Sequence, residues 1–143
     1  MEYNAQAVAL TLVNRRTRNV MGNSYYGDSY RDIVLAKSQY EGLTGNDGVV
    51  YDRAAGSDLT APLWAMAVDL AGSMLTAQVR ANGNAEAERL FFLENLDIAK
   101  DDTYANILLC RQFKQYKGKV NAGMSEVTII GDNMFYYFDV EGR

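Results

Sequence analysis

The sequence predicts an α+β domain, mainly helical, with a small antiparallel β hairpin. Three observations lead there. Apolar residues recur at helical spacing over residues 3–18 and again over 62–80. Near the end, "EVTIIGDNMFYYFDV" sets two β-rich runs around a Gly-Asp-Asn turn, a strong short hairpin signal. The 143 residues, 48% hydrophobic and 22% charged, suffice for one buried core and carry no mark of disorder, repeat or linker. A single domain over 1–143 follows.

In chain order, the stretch "YNAQAVALTLVNRRTR" places Ala5, Val8, Ala9, Leu12 and Val13 on one stripe of a helix, with Asn4, Asn14 and Arg18 toward the other side. Gly22 and Gly27 break it. Ser29 followed by Asp32 is a helix-start signature, so "YRDIVLA" is a short helix. From Gln39 to Asp58 the chain is rich in Gly, Asn and Asp, and reads as a long irregular segment with "GVVYD" as a strand-like island. Thr60 and Pro62 open a helix over 62–80, whose Leu63, Ala67, Leu70, Ala71, Met74, Leu75 and Gln78 mark it as the central buried element. Trp64 at its start reads as packing rather than as a platform for a sugar. Asn82 to Asn84 form a turn, "RLFFLEN" has the aromatic content of a strand, and Asp101 or Asp102 caps a helix running to about Tyr116, with Ile107, Leu108 and Phe113 inward. Gly118 ends it.

Composition excludes several kinds of function. A net charge of −4 and a pI near 4.8 disfavour nucleic acid, and the densest basic group, Arg15, Arg16 and Arg18, reads as the solvated edge of a helix. The longest apolar stretch, "PLWAMAVDLAGSML", is interrupted by Asp69 and too short to enter a membrane as a span. No basic, apolar, small-residue start is visible. The single Cys110 sits among apolar residues and reads as a buried structural thiol. With no histidine, Ser–His and Cys–His nucleophile pairs and His-ligated catalytic zinc are excluded. No cofactor is expected, and oxygen ligands alone would suit at most a loosely held Ca²⁺ or Mg²⁺. Hydrolysis would then rest on carboxylates, as in glycoside chemistry.

The order of five segments, "YNAQAVALTLVNRRT", "SYRDIVLAKSQYEG", "PLWAMAVDLAGSML", "AERLFFLEN" and "VTIIGDNMFYY", resembles the cell wall hydrolase family of the spore-cortex-lytic enzymes over nearly the whole chain from Tyr3 to Phe138. That family is similar to lysozyme-like lytic transglycosylases, which cleave the glycan strands of peptidoglycan. Gln6, Asn14 and Arg15 match its Gln and Asn-Arg, Gln39 and Tyr40 its Gln-Phe, and Phe92 and Asn95 the aromatic and Asn of its strand. Gly131, Phe135 and Tyr136 match its closing motif, in which Asn133 stands where the family has His. The resemblance implies a lysozyme-like fold and substrate contacts through Gln6, Asn14, Arg15, Gln39, Tyr40, Phe92, Asn95, Asn133 and Tyr136. Two alternatives stay open for the pairs: Asn14–Arg15 ties its helix to a loop or holds a sugar, and Gln39–Tyr40 anchors a loop or lines a groove.

The family's general acid/base is a Glu at the end of a preceding helix. Such a motif does not occur after Met1, so the resemblance implies that the acid comes from an upstream or partner-supplied segment. Glu2 and Glu41 are the candidates within the chain, and Asp52 and Glu94 are further carboxylates whose simpler reading is a solvated charge. The expected partners are peptidoglycan glycan strands and a protein partner or larger phage assembly. The expected setting is a virion, or the cytoplasm until release. The alternative is a non-enzymatic descendant, binding glycan or building a virion or tail.

Overall fold

The computed structural model describes residues 2–21, 29–35 and 61–138. Its first helix, α1 (Glu2–Val20), is also its most enclosed: no residue from Tyr3 to Asn19 is exposed. Ala7, Leu10 and Val13 enter the core, and around them Gln6, Thr11, Asn14, Arg15 and Asn19 are buried too. The stripe expected from apolar residues alone is therefore out of phase. Asn14 lies inward, because its amide has partners that an apolar count cannot register. The two threonines solve their own burial locally: Thr11 Oγ1 donates to the Val8 carbonyl at 2.7 Å and Thr17 Oγ1 to the Val13 carbonyl at 2.9 Å.

Helix α2 (Tyr30–Leu35) starts as the sequence predicts, with the Asp32 amide donating to Ser29 Oγ at 3.1 Å. The expected irregular segment from Gln39 to Asp58 lies outside the described residues, as do the Gly22 and Gly27 breaks.

Helix α3 (Ala61–Ala81) has nearly the predicted extent but not the predicted place. It turns Met74, Ala77 and Ala81 inward and leaves Leu70 half-buried, whereas Val68, Leu75 and Val79 are exposed. It is a flank of the core rather than its centre. That centre is α1, which packs against α2, α3, the later helix and strand segments up to Gln115.

After a turn in which Asn82 and Gly83 adopt positive φ (47° and 91°), helix α4 (Ala85–Leu93) occupies the segment expected to be a strand. Asn84 caps it, its side chain accepting from the Ala87 amide at 3.0 Å, and Glu86 and Glu88 stand in the first turn, where the helix dipole favours acids. Buried Ala85, Glu88 and Phe92 follow at steps of three and four, a helical period that overrides the β preference of the paired phenylalanines.

The expected helix to Tyr116 stops early. A 3-10 turn (Ile98–Lys100) leads to a 3-10 segment (Asp102–Leu109) capped by Asp101, which accepts from the Thr103 amide at 3.0 Å, and kinked at Tyr104. Beyond it, strand β1 (Gln112–Gln115) takes over, with Phe113 on the strand. The physical reason lies in α1: Asn14 and Arg15 hold the carbonyls of Leu108, Cys110 and Arg111, oxygens that a continuing helix would need for its own bonds.

β1 pairs with β3 (Asn133–Phe138), and β3 with β2 (Met124–Ile130), giving an antiparallel sheet in the order β1-β3-β2. The hairpin expected around Gly131 is present, with Ile130 opposite Asn133 and only Gly131 and Asp132 between them. Gly131 has φ +56°, which a side chain would disfavour there. Consecutive Met134, Phe135 and Tyr136 are all buried, so both faces of the central strand are covered. Phe135 stacks on its cross-strand partner Phe113 with ring centroids 5.8 Å apart.

Candidate functional site

The polar side chains of α1 reach outward from one helix to nearly every other described segment. At its start, Tyr3 Oη donates to Asp101 Oδ2 at 3.0 Å while its ring meets Tyr104 edge-on. The bond holds Tyr3's hydroxyl proton more tightly than usual, and Asp101, held by the Thr103 amide and then by Tyr3, is more acidic than an ordinary aspartate. One step along, Asn133 Nδ2 donates to Asn4 Oδ1 at 2.9 Å, tying the hairpin to the helix. Gln6 Oε1 accepts from the buried Ile98 amide at 3.0 Å.

About two turns later, Asn14 uses both ends of its amide. Its Nδ2 donates to the carbonyls of Leu108 (3.1 Å) and Cys110 (2.8 Å), and its Oδ1 accepts from Arg89 Nε at 2.6 Å. Arg15, only 4% exposed, donates from Nε to the Arg111 carbonyl and from Nη2 to Gln112 Oε1 at 2.9 Å. Gln112 is the cross-strand neighbour of Tyr136, so Arg15, Gln112 and Tyr136 meet at the junction of α1 and the sheet. Burial raises the Tyr136 hydroxyl, with Arg15 opposing. Arg15 and Arg18 both act on Arg111, which burial first and these two charges next make easier to deprotonate. The expected solvated arginine edge is instead part of the interior.

A third group was not anticipated. Glu88, 3% exposed, is the buried carboxylate of the described residues. It pairs with Arg16 and accepts from Tyr30 Oη at 2.6 Å, while the Arg16 guanidinium lies 4.9 Å from the centre of the Tyr30 ring. Burial, and then the bond to Glu88, push the Tyr30 hydroxyl far above its ordinary range. The residue was legible in one respect: it stands four before Phe92 and three after Ala85, on the inward side once α4 is recognised as a helix.

The other sequence-predicted residues scatter. Phe92 is in the core, Asn95 is exposed, and Glu94 is exposed and pairs with Arg80 at 2.9 Å. Gln39, Tyr40, Glu41 and Asp52, and the side chains of Glu2 and Trp64, lie outside the described residues. Cys110 is buried and its thiol pushed up to about 12, by burial and then by Glu126. Among the described residues no three of His, Cys, Asp and Glu come together as metal ligands, and no helix is long and apolar enough to cross a membrane. An open concavity of about 340 Å³ lies over the end of β1 and the loop that follows it, lined by Lys114, Gln115, Lys117, Lys119 and Asn121.

The arrangement can brace, and it can present positive charge beside Tyr136. It holds no unengaged buried carboxyl for proton transfer among the described residues. In comparison with known proteins, no family model, no curated protein and no solved structure matches the chain.

Proposed function

We propose that the chain is a peptidoglycan-directed domain of the lytic-transglycosylase kind that depends on a proton-transfer carboxyl supplied by an upstream or partner segment, so that the chain acting alone is weak or inactive. The direction toward peptidoglycan is supported by the order of its sequence motifs. The placement of the acid is supported by one observation: the buried Glu88 is engaged by Arg16 and Tyr30. A cleaving carboxyl must protonate the glycosidic oxygen and then take a proton from the sugar's own hydroxyl, and such help is worth roughly 10²–10⁴-fold. A buried carboxylate already taken up by an arginine and a tyrosine hydroxyl is not open to a glycosidic oxygen. Glu2 and Glu41 are the residues to which cleavage by the unassisted chain would be traced. Gln6, Asn14 and Arg15 serve as the frame that fixes the later segments against α1.

The test is muropeptide mass spectrometry after incubation with purified sacculi, alongside co-sedimentation with the same sacculi. Co-sedimentation with little or no anhydro-muramic product is the expected result. Robust cleavage that survives in both Glu2→Gln and Glu41→Gln would overturn the placement of the acid, and failure to sediment would overturn the direction toward peptidoglycan.

A further inference from the structure

The outward face of α3 carries a second apolar pattern that the described residues leave exposed. Ala65, Val68, Gly72, Leu75 and Val79 are all exposed and follow at steps of three, four, three and four, the spacing of a helix–helix seam. They lie opposite the inward Met74, Ala77 and Ala81, so the helix is apolar on two sides. Exposure rises to 53% at Val68, 59% at Leu75 and 82% at Val79. A helix apolar on both faces is one that belongs between two neighbours.

Gly72 identifies the second neighbour. Mid-helix glycine costs about 0.5–1 kcal/mol relative to alanine, and is kept where another backbone or side chain approaches closely. Among the described residues nothing does: a Cβ placed on Gly72 would have no neighbour within 4 Å. The seam supplies the missing partner when read against its own reverse. Two α3 helices packed antiparallel about a two-fold axis between Gly72 and Leu75 set Val68 against Val79, and seat Leu75 of each copy in the hollow over Gly72 of the other.

Charge agrees with this register. Asp69 and Arg80 project from the same flank of the seam, and on antiparallel helices like flanks face each other. The axis brings Asp69 of one copy to within about 3 Å, along the helix, of the height of Arg80 in the other, at a rise of 1.5 Å per residue. Arg80 already holds Glu94 and covers the Phe91 ring from 3.8 Å, and its remaining N–H groups suffice for a second carboxylate. We infer that the outward face of α3 is the interface of an antiparallel homodimer, with Leu75 packed over Gly72 and Asp69 paired with Arg80 across the axis.

Sedimentation velocity on the full chain, in a dilution series reaching high micromolar, tests this. The wild type is expected to pass from monomer to dimer. Gly72→Leu fills the hollow and should weaken the dimer by at least tenfold, while circular dichroism keeps its shape and dilute-solution melting is not lowered, since the side chain enters open space and replaces a poor helix former. Asp69→Arg and Arg80→Asp should each weaken it, and an equimolar mixture of the two should dimerise again, because both cross-pairs are then opposite in sign. A wild type that stays monomeric throughout overturns the inference. So does a dimer indifferent to Gly72→Leu, or a mixture no better than its components, either of which would move the interface or assign the seam to a different partner.

Discussion

Helices α1 and α3 run opposite ways in chemistry and in placement. α1 is crowded with Asn, Gln, Thr and Arg and sits at the centre; α3 is largely apolar and sits at the side, with half its apolar surface outward. The difference teaches what burial requires. A polar helix can be enclosed if most of its buried groups find partners, and here Gln6, Asn14, Arg15 and Arg16 find them on carbonyls, an amide and a carboxylate of distant segments, with Arg16 Nε and Arg18 Nε as exceptions. An apolar helix is enclosed only as far as there is another surface to cover it.

The largest blow to this contrast should come at Glu88. Glu88→Ala leaves the Arg16 guanidinium and the Tyr30 hydroxyl without their acceptor in a nearly closed site, and removing one partner of a buried pair costs about 3–5 kcal/mol. Urea melts reading less than 1 kcal/mol would mean that α1 is not braced by charge. Next, the two faces of α3 can be set against each other in dilute solution. Met74→Ala on the inner face should lose about 2–5 kcal/mol to cavity formation. Leu75→Ala on the outer face should stay within about 0.5 kcal/mol, as surface changes do. Leu70, expected to be fully packed and found half-buried, falls between them at about 1 kcal/mol, scaled by the area it hides. Equal losses at positions 74 and 75 would erase the distinction between the faces.

Asn14→Leu tests the polar side of the comparison more finely. It takes the Asn14 donor from the Cys110 carbonyl and the acceptor from Arg89 Nε, while Leu108 keeps Arg89 Nη2, and should cost about 1–3 kcal/mol, the range for buried groups left unsatisfied. Hydrogen exchange should show the junction before β1 opening first. The smallest effect is one of pH. Cys110, lifted from 9.0 to about 12, keeps its proton longer in the folded chain, and the raised Tyr30 and Tyr136 hydroxyls act in the same direction. An acid whose folded pKa exceeds its unfolded value lends stability that is whole below the unfolded pKa and drains away above it. Melting temperature should therefore hold below pH 9 and decline from there toward pH 12, and Cys110→Ala should flatten part of that decline.

What could be read from the sequence was what neighbouring residues decide between themselves. The Ser29 cap, the Gly131–Asp132 turn and the reach of α3 each depend on a few adjacent positions, and each was legible. Whether Asn14 and Arg15 tie a loop or face a ligand was posed correctly but not decidable, since the answer lies in carbonyls at 108, 110 and 111. The same bonds explain why the segment after Leu109 leaves the helix for a strand. At α4 the pair Phe91–Phe92 suggested a strand; the structure instead starts a helix on the Asn84 cap with Glu86 and Glu88 in its first turn, and the cap and the dipole prevailed. Glu88 was missed because its importance comes from Arg16 and Tyr30, which approach it from two other helices.

The bonds that settle α1 join residues 92 to 97 positions apart in the chain. During synthesis this helix leaves the ribosome long before the residues that complete it, at a pace of roughly 5–20 residues per second, so several seconds pass between the two. A helix of the composition of α3 would spend that interval as a sticky surface. α1 can wait in water, its asparagines and arginines solvated, until the chain through Gln112 arrives to replace the solvent. The polar lining that makes this helix an unusual core is also what lets the core element be made first and assembled last.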